Sequence, residues 1–392
     1  MPEWNFDYKA VQALSYKDLP KKFSPLYEGG HKLSACQELV DGGVRERIIS
    51  VATKVKKNVE GRDEEIDACI ASFISGVPLV LFGPPGTAKS MLVRLISDYC
   101  TPPSDFERPD PRLTPYFEYL MTSHTMPEEL FGAPNIEKLM EKHVFERETS
   151  MKLPNAEIAF LDELFRASGH ILNTLLSLIN ERIFHNGVKP IDVPLIGVVT
   201  AANYPPSDSE VAAVFDRFPI RLHLKSILHD LNDDKTFNST SQKLLKMTLD
   251  GEVRQLRRKD ENYVSVSSEW LACTNDFRLA RARLTRAYGE QMAPRVEDPR
   301  LQEFNNLFNE MREDFKLSDR TYGMLWRFGQ ALDWVRSENG SAITEPFVEY
   351  DNVNGEGHLD VFKWIASTSE ECDNATDIVN EHKNEDGLSS VH

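Results

Sequence analysis

A short apolar run, Val77-Pro-Leu-Val-Leu-Phe82, gives way at once to Gly83, Pro84, Pro85, Gly86, Thr87, Ala88, Lys89 and Ser90, and then to an apolar-periodic stretch from Met91 to Ile96. A run this short, closed by a Gly/Pro cluster, reads as a buried strand feeding a helix. Gly83 and Gly86 allow the backbone to turn its N–H groups inward around an anion, and the helix start behind them adds its positive dipole end. Residues 83–91 therefore read as a cradle for the phosphates of ATP, with Lys89 reaching the β- and γ-phosphates and the Ser90 hydroxyl on Mg²⁺. The usual pattern has Gly immediately before the lysine, and here that place is Ala88. A strand–turn–helix junction with a chance Lys-Ser is the competing reading, and the rest of the chain decides between them.

The second informative stretch is Glu157-Ile-Ala-Phe-Leu-Asp-Glu-Leu164. A short apolar strand ending in paired carboxylates sets Asp162 and Glu163 at the carboxyl edge of a parallel sheet, the edge where the phosphate cradle must open. There Asp162 can hold Mg²⁺ through water, and Glu163 can orient and deprotonate an attacking water. Two acids ending a strand would alone carry no such meaning; they follow the cradle in the order and at the distance that a nucleotide hydrolase needs. Leu195 to Ala202 is a further buried strand with Asn203 at its end, where an amide can hold the attacking water or simply make a turn.

Around these strands the chain reads as helices and loops. Val44 to Val55 and Asp63 to Ser75 have apolar residues at helical spacing, the second with an acidic first turn and Gly76 as its stop. Val59 to Arg62 lies where adenine would be expected from order alone. Tyr116 to Met121 has strand character, Pro127 to Gly132 is a short helix, and Asn135 to Thr149 an amphipathic insertion. Ala167 to Arg182 is a helix with Ile171, Leu172, Leu175, Leu176, Leu178 and Ile179 inward, and Asn186-Gly187 signals a tight hairpin turn. Val211 to Phe218 reads as a short helix that ends in Arg217, either a surface arginine paired with Asp216 or one that projects to a neighbouring subunit's γ-phosphate. The cluster Arg278, Arg281, Arg283, Arg286 is expected to form a solvated or inter-subunit face, and Ser318 to N-cap a helix that carries Leu325, Phe328 and Leu332 inward.

Composition limits the partners. The net charge of −17 opposes the counterion release that drives nucleic-acid binding. Five dispersed cysteines without a C-x-x-C pair argue for reduced thiols and against structural zinc. No apolar run approaches the roughly 18 residues of a membrane span, and Met1-Pro-Glu-Trp-Asn-Phe-Asp is the wrong chemistry for a signal peptide, so no membrane insertion and a cytoplasmic location are expected. Four parts are expected: an aromatic-rich N-terminal extension over 1–45, an α/β nucleotide-binding domain over 46–225, a helical domain over 226–380, and a disordered acidic tail over 381–392.

With these residues in view, the chain resembles the MoxR family of AAA+ ATPases, most closely its RavA-like branch. The resemblance runs from about residue 46 to 380. It rests on Gly83 to Ser90 with its Ala, Phe117-Glu-Tyr-Leu-Met-Thr122, Pro127-Glu-Glu-Leu-Phe-Gly132, Phe160-Leu-Asp-Glu163, Ile171-Leu-Asn-Thr-Leu-Leu176, Asn180-Glu-Arg182 and Leu317-Ser-Asp-Arg320. It implies an α/β fold, a five-stranded parallel sheet between helices followed by a small helical lid. It also implies a Walker A at Gly83–Ser90, a Walker B at Asp162 and Glu163, sensor 1 at Asn203, an arginine finger at Arg217 and a sensor 2 arginine at Arg320. A ring, usually a hexamer, with ATP and Mg²⁺ between subunits, and a protein client, often a von Willebrand factor A-domain protein, follow from the same resemblance. The Asn186-Gly187 hairpin and the 135–150 insertion match places where family members line the pore or face partners. RavA-like proteins carry a further docking domain after the lid, and this chain is expected to lack it; the first 45 residues have no counterpart there. The expected function is an ATP-hydrolysing ring that remodels or chaperones a protein; a nucleic-acid motor or nuclease-recruiting ring and an ATP-gated assembly scaffold are the alternatives.

Overall fold

The computed structural model describes residues 43–101, 112–187, 189–206, 217–226, 241–242, 271–289, 299–315, 317–336, 357–366 and 369–385. The chain enters through α1 (Val44–Asn58), which buries Val44, Ile48, Val51, Ala52 and Val55 on one side. Then comes α2 (Asp63–Ser75), whose first turn carries Asp63, Glu64 and Glu65 and which Gly76 ends in the left-handed region, its N–H on Ser72 O. The acids sit where the helix dipole favours them, and a glycine reaches that φ without steric cost. Strand β1 (Leu79–Phe82) and α3 (Lys89–Cys100) follow, then β2 (Thr114–Leu120), α4 (Pro127–Phe131) and α5 (Ile136–Lys142). Next are β3 (Ala156–Asp162), α6 (Gly169–Glu181), β4 (Ile183–Asn186), β5 (Lys189–Asp192), β6 (Gly197–Ala202) and β7 (Ile220–His223). Helices α7 (Thr274–Gly289), α8 (Pro299–Met311), α9 (Asp319–Arg336), α10 (Gly357–Asp360) and α11 (Ser369–Glu385) complete the described chain.

Five strands form a parallel sheet in the order β2-β3-β6-β1-β7. β1 lies between β6 and β7, so its carboxyl end opens with a paired strand on either side. The inner strands are buried on both faces, which is why they read as continuous apolar runs. Leu79, Leu81, Ile158, Phe160, Val199 and Ala201 face a core shared with α1, α2, α3 and the helices from α7 onward. Val80, Phe82, Ala159, Leu161, Val198 and Ala202 face a second core with α6, α4 and the β4–β5 hairpin. This is the expected α/β architecture. Helix α9 buries Leu325, Phe328 and Leu332, and Ser318 Oγ accepts from Thr321 N at 3.3 Å as its cap.

Two expectations are corrected. Asn186 pairs with Lys189, so Asn186 ends the strand and the turn begins at Gly187, at φ 67, one residue beyond the Asn-Gly reading. The Asn186 side chain is spent elsewhere, accepting from Arg147 N at 2.6 Å and donating to Arg147 O at 3.1 Å. Arg278 and Arg281 are not a solvated or inter-subunit face. Arg278 donates to Glu157 Oε1 at 2.9 Å and Pro194 O at 2.7 Å, and Arg281 donates to Ile74 O at 2.8 Å and Phe73 O at 2.6 Å. Glu157 is only 3% exposed and α2 has no base in its last turn, so both need donors from outside. The side chains of Arg283 and Arg286 lie outside the described residues, as do residues 211–216 of the short helix expected over 211–218.

Candidate nucleotide site

The register of the sheet assembles the site. Phe82 is level with Ala202 across β1 and β6, and Leu161 with Thr200 across β3 and β6, so Gly83, Asn203 and Asp162 leave the sheet side by side. Gly83 N donates to Ala202 O at 3.3 Å, and a Cβ on Gly83 would lie 2.6 Å from Leu224 O, so only glycine lets the loop lie down on β7. Pro84, Pro85 and Gly86 are exposed, whereas Thr87 is buried and its hydroxyl donates to Pro84 O at 2.9 Å. Ala88 stands before α3 with φ 67 and ψ 17, the left-handed geometry that the usual glycine would take freely.

Lys89 Nζ lies inside this loop, donating to Gly83 O at 2.7 Å and Pro84 O at 3.0 Å. Burial holds its ammonium below the ordinary lysine range, opposed by Asp162 and Glu163 and reinforced by Arg62. A half-buried cation held over the loop backbone, within the electrostatic reach of two carboxylates, fits a polyphosphate. Ser90 and Met91 are half-buried in the first turn of α3.

On the other side, Asp162 Oδ1 accepts from Glu163 N at 3.0 Å. Glu163 has φ 52 and ψ 39, a left-handed turn that swings its carboxylate away from the strand direction. Glu163 Oε1 accepts from Asn203 Nδ2 at 2.5 Å, and Oε2 from Arg166 Nε at 3.2 Å. Both carboxylate oxygens are anchored, which restricts a flexible side chain to one orientation. Arg166 was not singled out from the sequence; its position three residues after Glu163 is the signal that would have found it.

The hydroxyl of Ser90 and the carboxylate of Asp162 are hard oxygen donors of the kind Mg²⁺ takes. Among the described residues no group of three or more His, Cys, Asp or Glu can hold a metal.

Lys89, Asp162, Glu163 and Asn203 are thus brought together. Arg217 and Arg320 are not. Arg217 precedes β7 and lies at the sheet edge opposite its own cradle, about 13 Å of strand away. Arg320 is exposed in the first turn of α9. Buried Arg62, in the segment expected near adenine, donates to Lys225 O at 2.6 Å and Glu65 Oε1 at 3.1 Å.

Residues 46–240 match the family described as the MoxR domain in the MoxR-vWA-beta-propeller ternary systems. Two uncharacterized proteins of Methanocaldococcus jannaschii are 39% identical over 208 residues and 38% identical over 207, in each case 53% of this chain and 51% or 52% of the relative. A structural protein of Acidianus two-tailed virus is 33% identical over 212 residues, 51% of this chain and 32% of that protein. The chain thus spans about half or less of the length of these curated relatives. The crystal structure of a putative ATPase from Cytophaga hutchinsonii shares the fold, with a TM-score of 0.57 at 17% identity, covering 91% of this chain and 98% of that one.

Proposed function

We propose, because residues 46–240 match the MoxR domain model, that this chain is a MoxR-family AAA+ ATPase that hydrolyses ATP to remodel or chaperone a protein partner. The carrying observation is the convergence of Lys89, Asp162, Glu163 and Asn203 at one sheet edge, with the candidate base held at both oxygens. The Gly83–Met91 loop would bind the phosphates, and Ser90 and Asp162 would hold Mg²⁺, which supplies charge neutralisation on the phosphates when bound. Asn203 would hold the attacking water while Glu163 takes its proton.

Arg166, the further cation in this cluster, is engaged by Glu163 at 3.2 Å. Arg217 precedes β7, at the end of that strand remote from its own cradle, which supports its service as an arginine finger in a neighbouring copy and hence a ring, usually a hexamer in this family. Such a finger is worth roughly 10³ to 10⁵ in rate. We assign Arg320 the sensor 2 role on a lid formed by residues 226–380, with closure of the lid coupled to hydrolysis. The family's description in MoxR-vWA-beta-propeller systems favours a von Willebrand factor A-domain protein as partner. A cytoplasmic location and kinship with the RavA-like branch belong to the same proposal. No helix among the described residues is long and apolar enough to cross a membrane.

Glu163→Gln should bind ATP and abolish turnover, whereas Lys89→Ala should lose nucleotide binding in calorimetry. Retained affinity in Lys89→Ala, or full turnover in Glu163→Gln, would remove the site assignment. Identifying what copurifies with Glu163→Gln in ATP tests the partner.

A further inference from the structure

Three arginines from separate parts of the chain converge on the last turn of α2, at the sheet edge opposite the nucleotide cradle. Arg182 Nη2 donates to Gly76 O at 3.1 Å and Arg327 Nη2 to Ser75 O at 3.1 Å. Arg281 bonds Ile74 O and Phe73 O, and also Ile196 O at the foot of β6.

Capping accounts for one guanidinium, because the carbonyl end of a helix carries only about half a negative charge and each guanidinium offers five N–H donors. It does not account for three. Burial, and then Arg327, push Arg182 down to about 10; burial followed by Arg182, Arg327 and Arg278 holds Arg281 well below the ordinary arginine value. No carboxylate offsets either group among the described residues. Glu157, the acid that α7 does engage, is taken by Arg278 and by the Thr274 hydroxyl. Arg182 Nη1 is buried with no hydrogen-bond partner among the described residues. The cluster still reaches water, since Arg327 is exposed and Arg182 and Arg281 are half-buried.

Mutually repelling guanidiniums with spare donors, one of them buried and unmet, lack an anion. We propose that Arg182, Arg281 and Arg327 form a binding site for a small oxyanion of the phosphate and sulfate class. Such an anion would neutralise the repulsion and tie α2, the end of α6, α7 and α9 together at one point, independently of ATP hydrolysis.

The test uses the full chain carrying Lys89→Ala, so that the nucleotide cradle does not answer for phosphate. Thermal unfolding is followed while inorganic phosphate replaces chloride at constant pH and ionic strength. A saturable rise of about 2 °C at tenfold the dissociation constant is expected. Arg327→Gln, a change at an exposed position, should remove the saturable part. In parallel, the ³¹P resonance of phosphate should broaden with Lys89→Ala protein and stay sharp when Arg327→Gln is added. No saturable rise and a sharp resonance with the Lys89→Ala protein, or the same response with Arg327→Gln, would overturn the assignment.

Discussion

Ala88 occupies the one place in the cradle where the usual pattern has glycine, and it does so at φ 67. An L-residue in this left-handed region costs about 1–2 kcal/mol, which Ala88→Gly would remove. Against this, glycine gives the unfolded chain more freedom, worth about 0.4–1 kcal/mol. The balance is a stabilisation of about 0.8 kcal/mol, or about 1 °C in melting temperature for a chain of this size. Gly86 supplies a control of opposite sign in the same loop. It has φ 84 and a Cβ would meet nothing within 4 Å, so Gly86→Ala adds the backbone strain without a clash and should cost about 1 kcal/mol. Urea unfolding of the three proteins, with the m-value held as a check on two-state behaviour, measures both differences. A destabilised Ala88→Gly, or a Gly86→Ala that gains stability, would refute the strain argument and with it the loop geometry on which the phosphate site is built.

Three further outcomes are expected. Asp276 is fully buried and receives Arg47 Nε at 3.1 Å, Arg47 Nη2 at 2.5 Å and Cys273 N at 2.9 Å, so Asp276→Ala should cost about 3–5 kcal/mol in denaturant unfolding, while Arg47→Met with Asp276→Leu recovers most of it. Arg166 is 64% exposed, and its pair with Glu163 is worth about 0–1 kcal/mol. Arg166→Ala should therefore lower kcat by up to about fivefold with KM and stability unchanged, and Arg166→Lys should restore it. Burial pushes the Asp360 carboxyl up, but Lys383 and Lys363 outweigh it and hold its folded pKa below the ordinary value. Its stabilisation is present above the unfolded pKa of about 3.9 and lost as pH falls through the folded one, so wild type should exceed Asp360→Asn at pH 7 and the gap should close below about pH 4.

Much of the fold could be read because its inner strands are buried on both sides. Leu79–Phe82 and Gly197–Ala202 leave no polar face to confuse the pattern, and the apolar spacing of α6 named each of its buried residues. The candidate site was legible to the extent that its chemistry is carried by side chains at strand ends, as with Asp162, Glu163 and Asn203. What was missed depends on pairings between distant residues. The destination of Arg281 is set by the bare carbonyl end of α2, more than 200 positions away, and nothing in its own helix reports that need. The hairpin register moved by one residue because the Asn186 amide was claimed by the backbone of Arg147, a contact invisible to local turn preference.

That same amide has a mechanical consequence. Asn186 grips both the N–H and the C=O of Arg147, Arg147 reaches back to Gly132 O at 2.9 Å and Glu128 Oε1 at 3.0 Å, and a side chain on Gly187 would strike Phe145 O. The β4–β5 ribbon and the segment around α5 are therefore riveted into a single bracket with two roots, one at the end of α6 and one beside α4. A load pulling on the ribbon tip is shared between both roots, so displacement there is transmitted as a tilt of the whole bracket and not dissipated by bending of one thin ribbon.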